Sequence, residues 1–256
     1  MSDKSNTPSG WFGTAVSRYW GVAGVLLAWQ AWVTITGVNS IVIPHPINVV
    51  GDIVLNPGVY LANAGQTLLL AALGLLLGMA LGTIVAIVAW SSRILSGILV
   101  PLGLIFSSVP VVALIPVLAR LLGYDIRTVL GIVVIISFFP AFVFTAAGLK
   151  SLPPGSDDLF KVLGASAWTR FVHLVLPSAV PNWMIAVRLS APPAVLSAML
   201  AEFLMGSSGL GFLFRQSATE FATERAFGTS VIATVISVVC FTSAVAAEKF
   251  INDKWK

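Results

Sequence analysis

Charged residues are absent from long stretches of this chain, and polar positions gather between those stretches. Crossing the hydrocarbon core takes about 20 apolar residues in a helix. Tyr19 to Gly51 carries no Asp, Glu, Lys or Arg and predicts a first span over about 20–38. Ile53 to Ser92 predicts a second over about 64–90, Ile94 to Ala119 a third, and Thr128 to Leu149 a fourth. Pro181 to Leu204, interrupted by Arg188 and Glu202, predicts a fifth, and Ala226 to Ala247 a sixth. Period-2 alternation is missing and Ala/Leu/Gly runs dominate, so these are helices rather than barrel strands. The outer loop 40–63, punctuated by Pro44, Pro46, Pro57 and Gly58, has room for a short interfacial helix.

Irregularities within the spans carry further expectations. Gly74, Gly78 and Gly82 fall on one helical face and predict a close backbone approach, within one chain or between two. Pro101, Pro110 and Pro116 predict bends in span 3. Pro192 and Pro193 remove backbone donors inside span 5 and predict a kink or break there, which makes span 5 the first candidate for a pathway wall.

Composition agrees with this reading. Only 9% of the 256 residues are charged and 57% are hydrophobic, against about 25% charged in soluble domains. The formal net charge is +4, but its basic residues lie near span ends, which points to lipid and topology rather than to nucleic acid. With both termini inside, Lys4, Arg18, Arg93, Lys150, Lys161, Arg170, Lys249, Lys254 and Lys256 lie on the cytoplasmic side. Arg120, Arg127, Arg215 and Arg225 lie outside, and this asymmetry sets the expected orientation of a multi-pass protein of the cell's inner membrane. Residues 1–18 read as a flexible cytoplasmic segment, 19–250 as one transmembrane domain, and 251–256 as a cytoplasmic tail. No short cleavable h-region precedes Trp20, Trp29 and Trp32, so the first apolar run reads as a retained span. Cys240, the lone cysteine, has no intrachain partner, and His45 has no second metal ligand beside it.

One amphipathic island, residues 156–177, interrupts the apolar pattern. Asp157 and Asp158 can open a short helix, and Gly164 can end it in the left-handed conformation. Ser166 is then a candidate N-cap for a second helix. On that helix Trp168, Phe171, Val172 and Val175 share one face, and Thr169, Arg170 and His173 another. Pro177 closes it and Pro181 starts span 5. Such a hairpin suits docking to the membrane interface or to a partner's groove, and its pattern alone does not choose between them.

The spacing resembles the cytoplasmic signature of permease subunits of binding-protein-dependent ABC importers: Glu-Ala-Ala, three residues, Gly, nine residues, an aliphatic residue, any residue, Leu-Pro. Here it reads Asp158-Leu159-Phe160, Gly164, Leu174, Leu176 and Pro177. Leu159 and Phe160 depart from the two Ala positions. Segments 110–124, 163–181 and 201–214 are similar to the branch that imports nitrate, sulfonates, taurine, bicarbonate and some pyrimidine precursors, in which Ala191-Pro192-Pro193 is unusual. The resemblance spans about residues 60–250 and implies an all-α fold of the type I importer kind. It implies a coupling helix built from Asp157, Asp158, Phe160, Gly164, Ala165, Ser166, Leu176 and Pro177, with Asp158, Gly164 and Ala165 facing an ATPase groove. It also implies a second permease copy, two ATPase subunits carrying ATP and Mg, and an outer substrate-binding protein. The chain itself has no P-loop and no cofactor motif.

Arg188 and Glu202 are the charges placed within a span, at roughly 2.5–3.5 kcal/mol each by insertion scales. One reading puts them on the solute path or gate with Pro192, Pro193, Ser197, Met199, Ser207 and Ser208. The other is structural: Arg188 snorkels inward and Glu202 bonds the adjoining Gly-Ser-Ser-Gly-Leu-Gly loop. Arg188 favours an anionic solute and Glu202 opposes one. An ion-gradient transporter would call for several midplane carboxylates or repeats, and a membrane enzyme for a His/Cys or Ser-His-Asp set; neither pattern is evident.

Overall fold

The computed structural model describes residues 9–254. All regular structure among them is helical: α1 (Ser9–Thr36), α2 (Pro46–Leu55), α3 (Pro57–Ser91), α4 (Arg93–Ser107), α5 (Val111–Leu122) and α6 (Ile126–Gly148) come first. They are followed by α7 (Ser156–Val162), α8 (Ala167–Arg170), α9 (Leu176–Met205), α10 (Leu210–Thr219) and α11 (Thr223–Lys254). Four helical stretches, 57–91, 126–148, 167–205 and 223–254, are long and apolar enough to cross a membrane. The predicted flexible segment 1–18 lies outside the described residues up to residue 8, and from Ser9 its backbone is already α1. The predicted tail is helix through Lys254, with residues 255–256 outside the described residues.

The bundle is assembled around a seam of small residues. A Cβ on Gly78 would lie 2.6 Å from the Val134 carbonyl oxygen and 2.7 Å from the Ser137 Cβ. On Gly82 it would lie 2.5 Å from the Phe138 carbonyl oxygen. The predicted glycine face therefore packs within the chain, α3 against α6, at a spacing that excludes any side chain. Lipid tails are as apolar as Leu, so close van der Waals packing of this kind, rather than water exclusion, holds membrane helices together. Beside the seam, Leu70, Ala71, Ile115, Val129, Ile132, Val133, Ala194, Val195, Ala198 and Ala201 form the main core. Helix α9 is central: half of its most apolar window is buried, against 17% for α11.

Three expectations are corrected. Span 3 is not one helix: α4 and α5 rise end to end along α6, separated by Ser108, Val109 and Pro110. Of its three prolines only Pro110 interrupts the helix, as the N-cap of α5, while Pro101 and Pro116 lie inside helices. Span 5 is not broken at Pro192-Pro193; α9 runs unbroken through Pro181, Pro192 and Pro193. Buried Ala191, Ala194, Val195 and Ala198 pack it against its neighbours on both sides of the proline pair, and packing of this kind tolerates the lost donors. Nor does Pro177 close the island's second helix. Helix α8 continues through a π turn, Phe171–Val175, directly into α9.

Candidate functional site

At one end of the bundle the amphipathic island folds as a clamped hairpin. Helix α7 ends as its sequence predicts. Gly164 has φ +67°, its N–H donates to the Lys161 carbonyl, and the Ala165 N–H donates to the Phe160 carbonyl. This pair of bonds is the Schellman closure, which places the left-handed residue, usually Gly, just past the helix end. Ser166 then caps α8, its hydroxyl accepting from the Thr169 N–H at 3.1 Å. Across the turn, Asp157 accepts from Arg170 and pairs with Lys161 at 2.9 Å. Hydrogen bonds from Lys161 and Arg170 hold the Asp157 carboxyl below the usual aspartate range. Asp157 is thus a clamp inside the hairpin, whereas Asp158 is exposed and has only Lys161 beside it, at 3.4 Å.

The hairpin tip is apolar and open. Leu159, Val162, Leu163 and Trp168 are all more than half exposed. Phe160 is half-buried, as are Ala165 and Pro177, while Gly164, Ser166 and Leu176 are exposed. Of the expected face of Trp168, Phe171, Val172 and Val175, the first two stay together, with ring centroids 5.9 Å apart. The π turn adds a residue to the helical repeat before Val175, which is fully buried while Trp168 is largely exposed. Behind the tip, the Phe171 ring packs tilted against Trp90 with centroids 5.3 Å apart, and Leu149, Val175 and Ala179 form a small core with them. The second limb of the hairpin thus packs against α3 and the end of α6 and runs into α9.

At the opposite end, Glu202 is fully buried. Its Oε2 accepts from the Thr67 hydroxyl at 2.7 Å and from the Gly211 N–H at 3.1 Å. The two preceding amides are held by α3: the Leu210 N–H donates to the Thr67 hydroxyl and the Gly209 N–H to the Asn63 side-chain oxygen. Three successive N–H groups at the start of α10 are thereby capped by side chains of other helices, and a carboxylate sits at its positive end. The return contact comes from Arg215 on α10, whose guanidinium donates to the Phe203 and Gly206 carbonyls at the end of α9. The α9–α10 corner is capped in both directions.

The candidate path residues do not form one site. Glu202, Ser207 and Ser208 line a cavity of ≈ 240 Å³ together with Gln66 and Asp125. Met199 lines a separate apolar cavity of ≈ 410 Å³ with Phe203 and Phe214. Ser197 is buried, its hydroxyl turned onto the Ala194 carbonyl. Arg188 lies 3.0 Å from Glu248 on α11, in a pair that neutralises it. Pro193 is exposed and Pro192 half-buried on an unbroken helix.

Sequence reasoning missed several partners. The sequence assigns Arg215 only to the outer side and offers no signal for Glu248 as the partner of Arg188. Asp52, the one acid in the outer loop, joins α2 to α11 through Arg225 at 3.1 Å and accepts from the Tyr60 hydroxyl. Burial raises the Asp52 carboxyl, but hydrogen bonds from Arg225, Tyr60 and Asn56 outweigh it, so the group titrates below its ordinary range. A lone acid in an apolar loop was the available signal. Among the described residues no cluster of His, Cys, Asp or Glu could hold a metal ion.

Residues 61–256 match the family model described as "Binding-protein-dependent transport system inner membrane component". The chain is 28% identical over 221 residues to the formylaminopyrimidine transport permease protein ThiX of Halalkalibacterium halodurans, covering 86% of this chain and 88% of that protein. It is 27% identical to the putative aliphatic sulfonates transport permease protein SsuC of Bacillus subtilis, covering 86% and 82%. A solved amino acid ABC transporter shares the fold at a TM-score of 0.64 and 16% identity, covering 79% of this chain and 97% of that one.

Proposed function

This chain belongs to the binding-protein-dependent transport system inner membrane components, and from that premise we propose that it is one of two permease copies driven by separate ATPases through residues 156–177. It is a multi-pass membrane protein and a transport component rather than an enzyme. ATP and Mg act on the ATPase subunits, and an outer binding protein delivers the solute. Both termini lie in the cytoplasm, as the Lys/Arg asymmetry supports.

The observation that carries the proposal is the continuity of the hairpin with α9. An exposed apolar tip of Leu159, Val162, Leu163 and Trp168, edged by Asp158, suits a partner's groove. The Asp157–Arg170 clamp and the unbroken helical stretch 167–205 make the tip and the span one lever. ATP-driven closure of the partners would then swing α9, and through its packing α6 and α3.

The α4–α5 interruption supports a path between two copies. Helix α4 is 15 residues long and α5 12, so each reaches only about 20 Å and the gap between them lies near mid-membrane. Ser107, Ser108 and Pro110 are exposed there. Lipid does not tolerate exposed irregular backbone at this depth, so a second copy or a water-filled path must cover it. The path wall accordingly moves from α9 to this gap.

The charges favour a neutral solute over the anion suggested by Arg188. Arg188 is paired with Glu248, and the polar cavity near Glu202 is lined by carboxylates. Two measurements test the proposal. The purified protein should carry a stoichiometric ATPase, and Ser108→Cys in a Cys240→Ala background should form a disulfide between copies or react with water-soluble thiol reagents. A monomer free of ATPase, with Ser108→Cys inert to both, would overturn it.

A further inference from the structure

A cavity of ≈ 560 Å³ lies at the hairpin end of the bundle, where α3 passes into α4 and α6 ends. Its lining includes Arg93, Lys150, Ser92, Ser96 and Trp90 above an apolar floor of Val100 and Pro101. Lys150 Nζ donates to the Ser96 hydroxyl at 3.4 Å, the one polar partner it has among the described residues. Arg93 and Lys150 enter none of the ion pairs among the described residues, and no acidic side chain lines the cavity. The cavity also lies at the first turn of α4, whose free backbone N–H groups add positive potential. Two cations outside any ion pair among the described residues, two hydroxyls and the first turn of α4 thus surround one hollow.

We propose that this cavity binds the phosphate headgroup of an anionic phospholipid. Its surroundings select a lipid over a free anion. Beyond the cations, Ile94, Ile98 and Leu102 on α4 present exposed apolar side chains along which acyl chains can run. Trp90 sits at the cavity wall, and Trp is the residue that favours the headgroup level. Basic pockets between spanning helices on the cytoplasmic side are suited to such headgroups. Trp90 also packs on Phe171, at the π turn that joins the hairpin to α9. A bound headgroup would brace α4 against α6 at the foot of the lever. Only the assignment to the inner leaflet rests on the orientation proposed above.

The test is native mass spectrometry of the detergent-purified full chain titrated with phosphatidylglycerol, phosphatidylcholine or inorganic phosphate. It uses no ATPase and no solute, so its outcome is separate from that of the transport proposal. The wild type should retain one phosphatidylglycerol in preference to phosphatidylcholine, and millimolar inorganic phosphate should not displace it. Removing both charges with Arg93→Gln and Lys150→Gln should weaken that binding about 30-fold, from roughly one charge's attraction per residue. Gly97→Leu is the second variant. Gly97 lines the cavity and a Cβ there meets nothing within 4 Å, so the fold accepts the side chain while it blocks the site. Equal binding of phosphatidylcholine, displacement by inorganic phosphate, or unaltered phosphatidylglycerol binding in Gly97→Leu would each overturn the proposal.

Discussion

Replacing Glu202 by Ala removes the acceptor for two buried donors, the Thr67 hydroxyl and the Gly211 N–H. An unsatisfied buried donor costs about 1–3 kcal/mol. Thr67 can turn its hydroxyl fully onto the Asn63 carbonyl, 3.2 Å away, so its share is small. The Gly211 amide has no such alternative, and its lost bond is the helix cap that Glu202 supplies. The expected destabilisation is therefore about 1–3 kcal/mol. Glu202→Gln keeps a carbonyl acceptor in the same place and should cost about 1 kcal/mol or less. Denaturation of both variants in the same detergent, followed by tryptophan fluorescence, reads the difference. Uptake in Glu202→Gln should stay near wild type, and uptake in Glu202→Ala should fall with the amount of folded protein. If Gln were as damaging as Ala to stability, or if Ala unfolded like the wild type, Glu202 would not be the cap of α10.

Three further outcomes follow from the packing and the charges. Gly78→Ala should destabilise the bundle by about 1–3 kcal/mol through overpacking against α6, while Gly65→Ala, where a Cβ meets nothing, should be neutral by the same denaturation assay. Arg215→Ala should uncap the end of α9 and weaken the same corner as Glu202→Ala, so the double variant should lose less than the sum of the singles in a mutant cycle. The folded Asp52 carboxyl titrates below its ordinary value of 3.8, so its contribution is fully present above that value and is lost as pH falls toward the lowered one. Asp52→Asn should therefore flatten the acid side of the pH–stability profile, read by thermal denaturation across pH.

Local chemistry was legible in the sequence, and long-range pairing was not. Gly164 and Ser166 were readable because a left-handed closure and an N-cap are decided within a few residues. The Gly74–Gly78–Gly82 face was readable because a four-residue spacing marks a helical stripe, although the sequence did not say that α6 covers it. The prolines misled for the opposite reason. Pro177, Pro192 and Pro193 each weaken a helix locally, but α9 runs unbroken from Leu176 to Met205, and buried alanines and valines pack on both sides of the Pro192-Pro193 pair. Pro110, with no such cover, breaks span 3. Arg188–Glu248 and Asp52–Arg225 join distant segments, and no periodicity within either segment announces the partner.

Coupling between hairpin and span is tested most directly in proteoliposomes holding the permease, its ATPases and its binding protein, by counting solute accumulated per ATP hydrolysed in Asp157→Ala, which leaves Arg170 and Lys161 no acceptor at this position. With the Arg170 clamp released, ATP turnover should continue while accumulation per ATP falls well below wild type. An unchanged ratio, in a variant that inserts and binds its ATPases normally, would contradict the account.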